Sequence, residues 1–205
     1  MIVCLEGTNG CGKTTLAHAL AERWRAEGGT AQIIDPTLAT DFGKQLRAAV
    51  MDAVRHDEIS GDTETLAFAA ARLQSTRTLR CVGRQPADLL IVERWTAALI
   101  AYGAVAEANQ TLLSAIRDVL DAALPIEGTA YLDVPGAVAQ HRLARQTEHN
   151  RFETLGSGYL ENVRGHYLSW AASNGIPTID GTRPPHEVAH HAWHALALDR
   201  RNEPC

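Results

Sequence analysis

Short apolar runs alternate with longer stretches of helical spacing along the whole chain, the order expected of strands separated by helices. Residues 2–5 are apolar and end in Glu6-Gly7. Over 14–27 the apolar positions Leu16, Ala19, Leu20 and Trp24 fall on one helical face, and Gly28-Gly29 stops that helix. Residues 31–34 predict a second strand closed by Asp35-Pro36. The spacing predicts helices over 46–56 and 63–81, the second capped by Asp62 or Thr63. Residues 88–92 are nearly all apolar, as a strand buried on both faces of a parallel sheet should be, and run into Glu93-Arg94-Trp95. Two Ala- and Leu-rich helices follow to about Ala123. Residues 129–132 predict a fourth strand ending in Asp133, and Pro135 opens a helix at its first turn. The polar stretch 146–158 breaks the pattern and predicts a mobile loop. A helix over 159–173, a strand over 176–179 and a helix after Pro184-Pro185 complete the order. This predicts one α/β domain, a three-layer α/β/α sandwich around a five-stranded parallel sheet with right-handed crossovers.

Composition narrows the partners. The 205 residues fit a single domain. A hydrophobic content of 45% with 21% charged residues fits a sizeable core and excludes disorder, collagen and a disulfide scaffold. The net charge of -5 argues against a nucleic-acid partner bound through bulk basicity. No apolar run approaches the roughly 20 residues of a membrane span, and the N-terminus lacks the basic start of a signal peptide. Cys4, Cys11, Cys81 and Cys205 have no C-x-x-C spacing, so neither zinc nor a redox pair is indicated and a reduced, cytoplasmic protein is expected. Only Lys13 and Lys44 are lysines among the 19 basic residues, so a lysine at a chemically demanding position stands out.

Lys13 occupies such a position. Gly7-Thr8-Asn9-Gly10-Cys11-Gly12-Lys13-Thr14 satisfies G-x-x-x-x-G-K-[ST] between a predicted strand and a predicted helix. Glycines allow successive backbone N–H groups to surround a phosphate, and the helix N-terminus adds a favourable dipole. Lys13 can reach the β- and γ-phosphates, and the Thr14 hydroxyl can ligate Mg²⁺. Asn9, Cys11 and Thr15 complete the expected ATP-binding segment.

Several stretches, in order, resemble the thymidylate kinase family of nucleoside monophosphate kinases: EGTNGCGKTT, Asp35-Pro36, ETLAFAAARLQ, ERW…AY, YLDVP and NRFE. The resemblance covers about residues 2–195. It implies a P-loop kinase using ATP and Mg²⁺ on a nucleoside monophosphate, with dTMP the first choice, in a homodimer. Glu93-Arg94-Trp95 stands where the family has Asp-Arg-Tyr, which implies that Arg94 holds the acceptor phosphate and Glu93 lies near the metal with Thr14. Phe68 and Arg72, four apart on one helical face, match the family's pyrimidine-stacking Phe and O4-binding Arg; by spacing alone Phe68 reads as a core residue. Tyr102 matches the tyrosine that crowds the sugar 2′ position, and reads otherwise as a packing aromatic. Asp35 falls where the family places an acidic residue near the acceptor phosphate, and an Asp-Pro turn accounts for it as well. The segment His141–Arg145, the polar loop and Asn150-Arg151-Phe152-Glu153 resemble the family's lid, here about 142–158. Some family members carry a further basic residue inside the glycine loop; here that slot is Cys11 or Thr14, so Arg145 and Arg151 of the lid are expected to bring that charge to the phosphates.

Three departures bear on the substrate. Asn9 replaces a usual carboxylate, and Ala98, Leu99 and Gly103 stand where many relatives carry polar groups near the base. A site with fewer hydrogen bonds discriminates less, or accepts a bulkier base. Two other readings stay open: a kinase of a modified deoxynucleotide or of a deoxynucleoside, since Glu93-Arg94 also resembles the Glu-Arg-Ser of deoxynucleoside kinases, and a nucleotide-binding switch without transfer activity. His186-Glu187-Val188-Ala189-His190 spells H-E-x-x-H, but the third-ligand position is Leu196 and too little chain follows for a protease cleft, so a solvated histidine face is the better reading.

Overall fold

The computed structural model describes residues 1–55, 59–82, 88–145 and 156–199. Strands β1 (Ile2–Glu6), β2 (Thr30–Ile34), β3 (Asp88–Glu93), β4 (Gly128–Asp133) and β5 (Thr178–Asp180) form one sheet in the order β2-β3-β1-β4-β5. Every pairing is parallel, with Cys4 opposite Val92 on one side and Thr129 on the other. Parallel neighbours require crossovers, supplied here by α1 (Lys13–Ala26), α2 (Asp41–Arg55), α3 (Gly61–Val82), α4 (Thr96–Val105), α5 (Gln110–Ala123), α6 (Gly136–Leu143) and α7 (Gly156–Asn174), while α8 (Pro185–Ala195) follows the last strand.

Both faces of the central strands are buried, which is why they read as unbroken apolar runs. Val3, Leu5, Leu89 and Ile91 point to one core, with Leu20 and Trp24 of α1 and Trp193 of α8. Their alternates Ile2, Cys4, Leu90 and Val92 point to the other, with Leu79 of α3, Trp95 and Leu120 of α5. A third cluster joins Ala97, Ala98 and Ala101 of α4 to Tyr167 of α7 and Tyr131 of β4. Helix α4 thus spends its apolar residues internally; large exposed apolar side chains lie instead on α2 (Phe42), α3 (Leu66, Leu73) and α5 (Val119).

The predicted elements all form, with shifted ends. Helix α2 starts at Asp41 rather than 46, because the Thr40 hydroxyl accepts the Gly43 amide at 3.0 Å and opens the helix earlier. Ser60, not Asp62 or Thr63, caps α3 by accepting the Thr63 amide at 3.3 Å. Asp62 instead takes the Asn109 amide at 2.6 Å, tying α3 to the start of α5. Pro135 is the residue before α6 rather than within its first turn. Helix α7 starts at Gly156, and β5 begins two residues later than expected because the Ile176 amide still donates to the Ala171 carbonyl at the end of α7 and Pro177 has no N–H to give the sheet. His56 and most of the polar stretch 146–158 lie outside the described residues.

All five strands point the same way, so the loops after β1, β2, β3 and β4 gather at one edge of the sheet. At that edge, where the chain order reverses on either side of β1, open α/β sheets bind their ligands.

Candidate active site

The loop between β1 and α1 holds its shape through glycine. Gly7, Gly10 and Gly12 have φ of 148°, 75° and 103°, in the region L side chains avoid. Space forbids a side chain as well: a Cβ on Gly10 would sit 2.5 Å from the Ala139 carbonyl, and one on Gly7 would sit 2.7 Å from the Leu132 carbonyl. No side chain caps the first turn of α1, so its amides open toward the cavity above the sheet. Lys13 is buried and donates to the carbonyls of Gly7 (3.1 Å) and Thr8 (2.7 Å) and to Cys11 Sγ (3.3 Å). Burial and then the nearby Arg94 charge lower its pKa from the usual lysine value. The Thr14 hydroxyl donates to Glu93 Oε2 at 2.9 Å, bringing together the two side chains read as metal-binding. Their oxygens suit Mg²⁺, which takes one or two protein oxygens and keeps several waters.

Arg94 follows β3 with a φ of 70°, rare for a residue with a Cβ. Its amide donates to the Leu5 carbonyl at 3.0 Å. The guanidinium crosses to the glycine loop, donating to the Gly7 carbonyl at 2.7 Å and to Asn9 Oδ1. Both acceptors are neutral, and among the described residues no carboxylate forms an ion pair with it. Tyr102 of α4 closes this corner: its hydroxyl accepts the Asn9 amide at 3.2 Å, and its ring centre lies 5.5 Å from the Arg94 guanidinium carbon. Asn9 is therefore engaged with Arg94 and Tyr102.

These groups line one end of a cavity of about 440 Å³, a size typical of small-molecule sites. The other end is built by α3, α4 and the turn after β2. Phe68 and Arg72 face it from α3, the Arg72 guanidinium carbon 6.0 Å from the Phe68 ring centre. Arg72 is only 4% exposed; its Nη1 donates to the Phe68 carbonyl, and its Nε has no partner among the described residues. Burial lowers its pKa, against the favourable charges of Asp35 and Glu6. Asp35 serves the turn, accepting the Thr37 amide at 2.8 Å and the Thr37 hydroxyl at 2.7 Å, and also lines the cavity. Ala98, Leu99 and Gly103 do line this wall and bring no side-chain hydrogen-bonding group to it.

Two cavity arginines lay outside the sequence reading of the site. Arg142 of α6 donates to the Cys11 carbonyl at 3.1 Å and the Gly181 carbonyl at 2.9 Å, which brings a guanidinium to the loop position that lacks a basic residue. Arg145 is exposed at the end of that helix, and Arg151 lies outside the described residues. The clue was the buried pair Ala139 and Leu143, which marks the α6 face toward the loop and makes Arg142 its neighbour. Arg47 of α2 lines the cavity beside Asp35 and lies 3.4 Å from the Thr37 hydroxyl; its spacing of four from Met51, also at the cavity, was the available signal. On α8, His190 and His194 meet edge to face at 4.5 Å and His194 pairs with Asp199 at 2.5 Å, on an exposed face away from this site.

A second cavity of about 280 Å³ lies on the far side of the loop, between α1 and the turn after β5, with Arg142 shared between the two.

Comparison with known proteins agrees with this arrangement. The family model for thymidylate kinase matches residues 5–192. A thymidylate kinase from Acinetobacter baylyi (strain ADP1) is 30% identical, with 97% of this chain and all of the relative covered. One from Acinetobacter baumannii (strain SDF) is 29% identical, with 96% of this chain and all of the relative covered. A third, from Bordetella petrii, is 30% identical over 91% of this chain and 89% of its own. With a family model spanning nearly its whole length, the chain belongs to the thymidylate kinase family.

Proposed function

We propose that the chain transfers the γ-phosphate of ATP to dTMP, giving dTDP and ADP. The observation that carries this reading is Arg94: a half-buried guanidinium bonded to neutral oxygens, beside the phosphate loop and inside the larger cavity. A half-buried cation whose direct partners are all neutral still attracts an anion, and an acceptor phosphate supplies that charge with bidentate geometry.

The loop amides and Lys13 hold the donor phosphates, Lys13 exchanging its carbonyl partners for phosphate oxygens. Arg142, reaching the loop from α6, neutralises charge on the transferred group, with Arg145 and Arg151 of the lid over about 142–158 as further cations. Arg94 presents the acceptor phosphate, whose oxygen is already ionised, so no general base is required. Phe68 stacks on the pyrimidine, Arg72 donates to its O4 edge, and Tyr102 crowds the 2′ position. Asp35 and Arg47 border the acceptor end. Thr14 and Glu93 would hold Mg²⁺, which would offset the negative charge of the phosphates when bound. The second cavity takes the donor nucleoside. The resting site has these groups poised and the transition-state charge is met by fixed donors, so positioning and electrostatics supply the rate.

The exposed Leu66 and Leu73, two turns apart on α3, with Phe42 of α2 and Val119 of α5, offer a dimer face. Free cysteines at positions 4, 11 and 81, with no helix among the described residues long and apolar enough to cross a membrane, fit a cytoplasmic enzyme. Initial rates of ADP release with ATP and Mg²⁺ test the assignment against dTMP, dUMP, dCMP and thymidine. Turnover of dTMP with silence toward thymidine supports it; turnover of thymidine alone overturns it.

A further inference from the structure

Glu6 ends β1 just before the glycine loop and is 1% exposed. Among the described residues no cation forms an ion pair with its carboxylate. Its partners are instead three hydrogen-bond donors. Oε1 accepts the backbone amide of Trp95 at 2.7 Å and the Cys4 thiol at 3.7 Å, and Oε2 accepts the Tyr167 hydroxyl at 3.2 Å. An unpaired carboxylate is an expensive group to keep in a core, so its placement calls for a return elsewhere.

The Trp95 amide marks where that return lies. The turn Glu93-Arg94-Trp95 leaves β3 through an Arg94 φ of 70° and a Trp95 conformation of φ -125° and ψ -122°, neither of them a relaxed helical or extended state. Two hydrogen bonds pin it, Arg94 amide to the Leu5 carbonyl and Trp95 amide to Glu6, and both acceptors belong to adjacent residues of β1. That same turn sets the direction in which the Arg94 side chain leaves the sheet. Beyond it, the guanidinium meets Gly7 and Asn9, the residues that follow Glu6 in the chain. One rigid strand end therefore fixes both the loop that holds the donor phosphates and the turn that aims the acceptor cation. After Asp35, the Glu6 carboxylate also favours the charged form of buried Arg72, and it adds a smaller effect of the same sign at half-buried Arg94.

We propose that Glu6 is the positioning residue for Arg94: its carboxylate, held by Tyr167, accepts the Trp95 amide and locks the strained turn that presents Arg94 to the acceptor phosphate. This rests on the function proposed above. Glu6 touches neither substrate.

The test is steady-state kinetics on the full-length protein, with thermal melting of each variant. Wild-type turnover of ATP with dTMP checks the underlying reading by itself; the variants then check Glu6. Glu6→Gln keeps an oxygen facing the Trp95 amide, and is expected to hold KM for dTMP within about threefold of wild type. Glu6→Ala removes the acceptor and is expected to raise KM for dTMP about tenfold or more, with KM for ATP within about twofold. A merely structural role would lower the melting temperature and leave that split absent. Should Glu6→Ala not fold, Tyr167→Phe loosens the carboxylate by removing one hydroxyl, and is expected to raise KM for dTMP about threefold with KM for ATP unmoved. Unchanged KM for dTMP in folded Glu6→Ala or, where that variant does not fold, in Tyr167→Phe overturns the proposal. So does Glu6→Gln as damaging as Glu6→Ala, or equal movement of both KM values.

Discussion

The two ends of the large cavity are built in different ways. The phosphate end is mostly backbone and charge: three glycines at positive φ, a helix start without a side-chain cap, Lys13, and Arg94 held across the loop. Each part is fixed by steric limits that allow few substitutions. The base end is a wall of side chains from α3 and α4, with Phe68, Leu99 and Ala98 as apolar surface and Arg72 as a buried donor. Such a wall can be repacked at modest cost. On the proposed function, the reaction is set by the rigid end and substrate choice by the adaptable one.

That contrast sets the expected sizes of mutational effects. Lys13→Ala removes a preorganised cation from the rigid end, and kcat with dTMP and ATP should fall about a thousandfold in initial-rate assays. A loss under tenfold would mean that this end is less demanding than its geometry says. At the other end, Arg72→Leu removes the donor whose Nε has no partner among the described residues. KM for dTMP should rise about tenfold to a hundredfold with KM for ATP unchanged, the cost of a lost charged hydrogen bond. Leu99→Asn puts a polar group into the apolar wall and should change the ratio of kcat/KM between dTMP and dCMP about threefold to tenfold. An unchanged ratio would remove Leu99 from the base site.

The smallest effect is a pH dependence. Lys13 has a pKa below the ordinary lysine value of 10.5 in the ligand-free protein, through burial and the Arg94 charge. Only its protonated form attracts phosphate. Raising the pH through that lowered value discharges the lysine, and KM for ATP should climb before pH 10.5 is reached. Because the donor phosphates restore the charged form, binding in that range takes up a proton, measurable as buffer-dependent heat in calorimetry. A flat KM across the range would show that Lys13 keeps its charge.

The same contrast explains what the sequence made legible. Strand cores and the glycine loop are dictated by local rules, since 88–92 can hardly be anything but a buried strand and G-x-x-x-x-G-K-T has one main use. Helix ends were less legible, because Thr40 and Ser60 compete with neighbouring residues that can also cap. Phe68 and Arg72 were visible as a pair on one face, but which cavity that face lines depends on how α3 packs. Arg142 and Arg47 were missed for that reason: each reaches the site from a helix whose orientation is a tertiary property. Glu6 looked like the polar end of a strand, and its link to the Trp95 amide spans 89 positions of the chain. Folding alone joins them.

The central claim is that Arg94 is the cation awaiting the acceptor's phosphate. Calorimetric affinities of dTMP and thymidine for wild type and Arg94→Ala test it most directly. The wild type should prefer dTMP by about a hundredfold, and Arg94→Ala should lose most of that preference while holding thymidine as before. An Arg94→Ala protein that is folded and still prefers dTMP by the wild-type margin would contradict the account.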